Sequence, residues 1–241
     1  MTRCVPKCTL LFLVLSSFSI CANQLDAANW PCFRGTDGSG ISTETGLPTR
    51  WSAGEGLAWK TPLPGPGSSS PIVFGDKVFV TCYSGYATSR NEPGDIQKLR
   101  RHVLCVDAKS GKVLWDRDVE SKQPEEPFRG IGVPNHGYAS STPATDGERV
   151  YAFFGKTGVF AFDGEGKEVW RADVAPDART HNFGTASSPI ICNDVLVVPA
   201  SVECEAVVGF DKHTGKELWR APASGYGEWW GTPIVIGSGD D

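Results

Sequence analysis

Ala161-Phe162-Asp163-Gly164-Glu165-Gly166-Lys167-Glu168-Val169-Trp170 decides the fold, because its pattern returns twice more in the same chain. Cys105-Val106-Asp107-Ala108-Lys109-Ser110-Gly111-Lys112-Val113-Leu114-Trp115 and Gly209-Phe210-Asp211-Lys212-His213-Thr214-Gly215-Lys216-Glu217-Leu218-Trp219 keep its order of small residue, apolar residue, Asp, short turn, Gly-Lys and Trp. An Asp with Gly three or four residues later reads as a tight hairpin turn. The Gly supplies a positive φ, and the carboxylate bonds turn amides that have no ladder partner. The closing Trp is expected to pack its ring on an adjacent unit, a burial worth on the order of a few kcal/mol. The small residue (Cys105, Ala161, Gly209) is expected on the inner strand pair, where neighbouring units press close.

Outward from these copies, Leu57-Ala58-Trp59-Lys60 repeats the Trp ending without the turn. Ser69-Ser70-Pro71, Ser141-Thr142-Pro143, Ser188-Pro189 and Thr232-Pro233 each precede a short apolar run. A Pro at the start of an inner strand sits where a missing N–H does little harm. Successive tryptophans lie 56, 55 and 49 residues apart, the length of a four-stranded propeller blade with variable loops. The fold class is therefore all-β, a propeller with blades at 69–119, 141–174 and 187–221 and the first strand of a fourth from 231. Residues 29–68 form an N-terminal segment in which 56–63, carrying Trp59, is expected to be the outer strand that closes the ring. Three blades and one strand cannot close, so the chain is expected to be the front part of a longer, seven- or eight-bladed protein. Phe74, Phe79, Tyr151, Phe153, Phe160 and Phe162 alternate as buried strand residues should.

Composition agrees. The chain has 241 residues with 28 Gly, 17 Pro and a single Met, the make-up of a turn-rich β protein. The formal charge of −5 is spread without a basic stripe, so no nucleic-acid partner is expected. Arg3 and Lys7 precede the apolar run Leu10–Leu15, and small residues follow up to Ala28. That run is too short to span a bilayer, so 1–28 reads as a cleaved secretory signal and the protein as exported, to the periplasm or beyond. Cys32, Cys82, Cys105, Cys192 and Cys204 remain. The odd number leaves at least one free thiol in a monomer, and no C-x-x-C spacing suggests a metal or redox site.

The Ala-x-Asp-x-x-x-Gly-Lys-x-x-Trp pattern, closest at Ala161–Trp170, resembles the tryptophan-docking motif of PQQ-like repeats. That family includes quinoprotein alcohol dehydrogenases and BamB-type outer-membrane assembly factors. The opening Asn29-Trp30-Pro31-Cys32-Phe33-Arg34-Gly35 resembles the N-terminus of PQQ-like repeat proteins of planctomycete-type bacteria. The resemblance covers 29–236 and speaks for architecture, since the motif is a packing device. For the dehydrogenases it implies PQQ, a calcium ion, a catalytic Asp and a disulfide between adjacent cysteines. No adjacent Cys pair exists here, and Asp107, Asp163 and Asp211 are turn residues, so no catalytic residue is assigned.

In a propeller, connections from an outer strand to the next inner strand share one face with those between the middle strands. Three such stretches bring Asn135 and His136, then His181 and Asn182, then Glu228 and Trp229 toward one mouth of the channel. Converging polar and aromatic groups on a concave mouth are the default binding site. The plainer reading of each is that it satisfies loop backbone or packs a blade interface. Two histidines and a glutamate from three loops lack the spacing of a metal site, and none is expected. His213 and His102 read as solvent-facing, and the insertion Tyr83–Arg101 as a decorating loop or partner contact. The function expected is a non-catalytic scaffold in the cell envelope that binds a protein or peptide and needs no cofactor. A PQQ- and calcium-dependent oxidoreductase is the alternative. Polysaccharide binding rests only on the aromatic mouth at Glu228–Trp230 and lacks a carboxylate pair.

Overall fold

The computed structural model describes residues 28–130, 132–175, 183–226 and 228–236. The expected signal segment, apart from Ala28, lies outside them. The first sheet holds β1 (Ile72–Phe74), β2 (Lys77–Ser84), β3 (Arg100–Asp107) and β4 (Val113–Glu120). The second holds β5 (Ala144–Thr145), β6 (Arg149–Phe153), β7 (Val159–Asp163) and β8 (Glu168–Ala172). The third holds β9 (Ile190–Cys192), β10 (Val195–Ala200), β11 (Ala206–Asp211) and β12 (Glu217–Pro222). Each sheet has four antiparallel strands in chain order, so each is one blade; the second lies inside the bounds read from the sequence, and the first and third end one residue past theirs, at Glu120 and Pro222.

The blades stack face to face, and period-2 alternation serves both faces of the middle one. Val150, Ala152 and Phe154 join Ile72, Phe79, Val103 and Trp115 in the core between blades one and two. Tyr151 and Phe153, one residue out of step, join Leu196, Val198, Val208 and Phe210 between blades two and three. A strand buried on both sides reads as a continuous apolar run, as Val150–Phe154 does.

The repeated tryptophan joins one blade to the next. Trp115 Nε1 donates to Gly164 O at 3.0 Å, Trp170 Nε1 to Lys212 O at 2.9 Å, and Trp59 Nε1 to Ala108 O at 2.9 Å. Each indole lies flat on the glycine of the next hairpin. A Cβ on Gly111, Gly166 or Gly215 would meet the ring of Trp59, Trp115 or Trp170 at 2.5–2.6 Å. The hairpin itself is held by its aspartate. Asp107 Oδ1 accepts from Ser110 N, Asp163 Oδ1 from Lys167 N and Asp211 Oδ1 from Thr214 N, at 2.7–2.8 Å.

The register corrects the placement of the small residue. Cys105, Ala161 and Gly209 lie on the third strand of their blades, opposite Trp115, Trp170 and Trp219, with a bulge directly after each pair. They are small because their own tryptophan lies over them, and they are not on the inner strands. The bulge increases the local twist and re-aims the ring toward the neighbouring blade.

The Ser/Thr-Pro motif has a role beyond its proline. Ser70 N donates to Thr142 Oγ1 at 2.9 Å, Thr142 N to Ser188 Oγ at 2.9 Å, and Ser188 N to Thr232 Oγ1 at 3.1 Å. One hydroxyl per blade thus caps the amide that precedes the inner strand of the blade before it. Thr232 marks the start of the fourth unit in this series, and residues 231–236 run on from it without a strand partner.

The segment expected to close the ring has no last blade to join among the described residues. Residues 57–63 are unpaired, as a strand must be when the described residues offer no ladder partner on that side. Trp59 docks nonetheless. Upstream, Trp30 exchanges both backbone bonds with Val73 at 2.7 and 2.9 Å, and Thr145 N donates to Pro31 O at 2.8 Å. The N-terminal segment is therefore pinned across the inner strands of blades one and two. Every residue of β12 is exposed, and Trp219, which has no hairpin to lie on among the described residues, is 41% exposed.

Candidate functional site

The mouth is built from the connector between β4 and β5, the connector between β8 and β9, and the turns between the middle strands. The insertion between β2 and β3 roofs the first connector. Its Tyr86, Ala87 and Leu99 are buried with Tyr83, Val133, Tyr138 and Ala139. Arg90 Nη2 donates to Pro134 O at 2.8 Å, and Tyr86 Oη accepts from Phe128 N at 3.1 Å. The insertion is thus part of the packed mouth.

Asn135 and His136 lie in the short helix α1 (Val133–His136). Asn135 is exposed on the rim. His136 ties connectors together: Nε2 donates to Phe183 O at 2.5 Å, and Nδ1 is 2.7 Å from Ser140 Oγ. His181 and Asn182 lie outside the described residues. Glu228 and Trp229 are half-buried, and Trp229 O accepts from Ser201 Oγ at 2.6 Å, at the start of helix α2 (Ser201–Cys204). Next to it, Trp230 Nε1 donates to Gly184 O at 2.9 Å, with its ring edge-on to Phe183. The connectors do converge, and His136 and Trp229 make structural bonds there.

At the centre of this convergence is a cavity of about 40 Å³ that sequence reading did not single out. Arg101, Glu125, Glu126, Lys156 and Glu203 line it, and four of these residues are more than nine-tenths buried. Arg101 stands on β3 on the same face as Val103 and Cys105, and this parity is the sequence signal that could have found it. Its Nε donates to Tyr138 O at 2.9 Å, its Nη1 to Ser121 Oγ at 2.6 Å and Thr157 Oγ1 at 3.0 Å, and its Nη2 to Glu125 Oε2 at 2.7 Å. This is a shielded ion pair with nearly every donor used, the condition under which a buried pair is tolerated. Tyr138 Oη donates to Glu126 O at 2.6 Å, and burial pushes the Tyr138 phenol well above its usual range.

Lys156 comes from the β6–β7 turn and Glu203 from α2. Glu203 Oε1 accepts from the Thr185 hydroxyl. Gly155, at φ +59°, lets the turn approach: a Cβ there would meet Thr185 Oγ1 at 2.1 Å and Glu203 Oε1 at 2.9 Å. Lys156 Nζ, Glu203 Oε2 and Ser141 Oγ are buried without a hydrogen-bond partner among the described residues, and all three residues line the cavity. Burial raises the Glu203 carboxyl to about 7 and lowers the Lys156 ammonium. Buried polar groups are rarely left unsatisfied, so three at one cavity call for a partner, which an ordered water or a small polar group can supply.

His102 is not solvent-facing as expected. It is 8% exposed on β3, with Nε2 2.7 Å from Ser84 Oγ on β2 and Nδ1 3.0 Å from Asp116 Oδ1 on β4. That order has the spacing of a hydrolytic relay. It lies on the face of blade one turned away from blade two, away from the mouth, where it ties three strands together. His213 is exposed beside Asp194 at 3.3 Å. All five described cysteines are free thiols.

Three four-stranded blades joined by docked tryptophans define a β-propeller of PQQ-like repeats. The family model described as "Outer membrane protein assembly factor BamB" matches residues 41–232, and the chain belongs to that family. No curated protein matches the chain. Among solved structures, the quinohemoprotein alcohol dehydrogenase of Comamonas testosteroni superposes with a TM-score of 0.51 at 17% identity, over 80% of this chain and 27% of that one. BamB of Moraxella catarrhalis gives a TM-score of 0.41 at 16% identity, over 67% of this chain and 41% of that one. The quinohemoprotein alcohol dehydrogenase ADHIIG of Pseudomonas putida HK5 gives 0.47 at 21% identity, over 69% and 22%. The chain thus spans less than half the length of each, and the likeness is one of fold.

A PQQ-sized ligand calls for a cavity of roughly 300 Å³ or more, and calcium calls for six to eight oxygen ligands. At the mouth, the cavity lined by carboxylates holds about 40 Å³. The larger cleft of about 330 Å³, between Phe33, Arg34, Trp230 and Thr232, has no carboxylate in its lining. No group of three or more His, Cys, Asp or Glu that could hold a metal occurs among the described residues. By themselves, the described residues at the mouth do not combine that volume with carboxylate ligands, and the chain spans about a quarter of the length of the quinohemoprotein alcohol dehydrogenases it is similar to.

Proposed function

We propose that this protein is an exported, non-catalytic propeller scaffold in the cell envelope, and that it recruits a protein or peptide partner through the mouth face. One observation carries the reading. The rim bears an open groove of about 190 Å³ between Pro66–Ser68, Thr88, Arg90, Phe128 and Asn135, beside a cavity too small for an organic cofactor. Its lining of proline, glycine, aromatic and polar groups suits an extended peptide. Membership of a family named for an outer-membrane assembly factor supports the location, as does the segment 1–28 read as a secretory signal. No helix among the described residues is long and apolar enough to cross a membrane.

The test is site-specific photo-crosslinking in the full-length protein, with the probe at Asn135 on the rim and at Lys109 in the blade-one hairpin as control. A discrete protein adduct from position 135 alone is expected, and equal labelling from both positions would remove the reading. Calorimetric titration with PQQ and calcium supplies the opposing test. Saturable heat at micromolar affinity would replace the scaffold with an oxidoreductase.

A further inference from the structure

We propose that the cavity where the three blades meet takes one carboxylate group of the partner, held by Lys156, Ser141 and the protonated form of Glu203. This rests on the scaffold reading and names the chemistry the mouth recognises. Of the residues that line the cavity, Gly184, Thr185 and Val202 are themselves partly exposed. The cavity's volume of about 40 Å³ accommodates a carboxylate-sized group, since about 10–15 Å³ of such space holds one water.

The donors that remain uncommitted, rather than the net charge, favour an anion of that size. Arg101 is committed to Glu125 at 2.7 Å, and Lys122, on the outer side, to Asp173 at 3.7 Å. Lys156 is the lining cation whose Nζ has no partner among the described residues, and a buried ammonium is strongly stabilised by an acceptor of opposite charge. Glu125 and Glu126 on the connector balance Arg101 and Lys156, so the pocket is neutral when Glu203 carries its proton. Glu203 Oε1 is already bonded to Thr185, which leaves Oε2 as the atom that would present the proton. An O–H at Oε2, the Ser141 hydroxyl and the Lys156 ammonium then form three donors around one small space. Deprotonated Glu203 would repel the same ligand.

The first probe is ¹³C-acetate, titrated into the full-length protein and followed by NMR line broadening between pH 5.5 and 8.5. Saturable binding is expected, weakening by about tenfold per pH unit above pH 7, because binding requires the neutral acid. Glu203→Gln keeps a donor and is expected to bind with no pH dependence over this range. Lys156→Met keeps the apolar stem, removes a buried charge without a partner, and is expected to bind at least tenfold more weakly at every pH. Two capped peptides then separate the sources, one with a single internal Glu and an amidated end, the other with a free C-terminus and no acidic side chain. A flat pH profile in the wild type, unchanged affinity in Lys156→Met, or no acetate binding by folded protein would overturn the proposal. Crosslinking from Asn135 with no acetate binding would leave the scaffold reading standing and this inference refuted.

Discussion

Gly166→Ala tests the docking of one blade on the next. At φ +79° an alanine is disfavoured by about 1–2 kcal/mol, and its Cβ would meet Trp115 Cδ2 at 2.6 Å. The ring cannot yield without losing the Nε1 bond to Gly164 O and part of its burial among Phe79 and Phe162. The bond is worth about 1 kcal/mol and partial re-exposure of the ring about another 1 kcal/mol. The sum is a destabilisation of about 3–4 kcal/mol. Gly164→Ala in the same hairpin is the control, because its φ is not positive and its Cβ would meet only the flexible end of Lys77 at 3.3 Å. Urea unfolding of the full-length protein, read by tryptophan fluorescence and circular dichroism, gives both values. A Gly166→Ala loss within 0.5 kcal/mol of the control would show that the indole does not need that glycine, and the docking account would fail.

Ser188→Ala removes the acceptor for the buried Thr142 amide and is expected to cost about 1–3 kcal/mol, whereas Ser188→Thr, which keeps the hydroxyl, should cost less in the same melts. The raised Glu203 group gives a pH dependence of definite sign. A folded-state pKa of about 7 against 4.5 means that stability is fully present below the unfolded value, falls as pH rises through this window, and has lost its full contribution above pH 7. Glu203→Gln should therefore match the wild type near pH 4.5 and exceed its stability at pH 8, and equal stability at both values would refute the buried-acid reading. Cys82 and Cys105 are buried, and burial raises their thiols to about 11. Iodoacetamide at pH 8 should modify the partly exposed Cys32 and Cys192 first, and early labelling at Cys82 would contradict the packing of β2.

The blades were legible because their cause is local. Asp163, Gly166 and Trp170 specify a turn, a positive φ and a ring within ten residues, and the same arrangement at 105–115 and 209–219 multiplies the signal. Val150–Phe154 announced a strand buried on both faces by its unbroken apolar run. The candidate site was only half legible. The parity of Arg101 with Val103 was readable, and the convergence of the connectors followed from blade topology. Nothing in the sequence around Lys156 or Glu203 says that a turn after β6 and a helix after β10 meet across a blade junction. His136 and Trp229 looked like binding groups because loop histidines and tryptophans often are, and their partners, Phe183 O and the Ser201 hydroxyl, lie 47 and 28 residues away.

What this sequence by itself determined is the repeating unit: strand lengths, hairpin turns and the order of four strands per blade, all governed by interactions between near neighbours. The tertiary structure alone decided which polar groups are buried together. Arg101 with Glu125, and Lys156 with Glu203 and Ser141, are set by how far each blade rotates against the next, a quantity fixed by the tryptophan contacts summed over whole blades. Burial then shifts the charges, since desolvation acts on groups brought close in space, however far apart they stand along the chain.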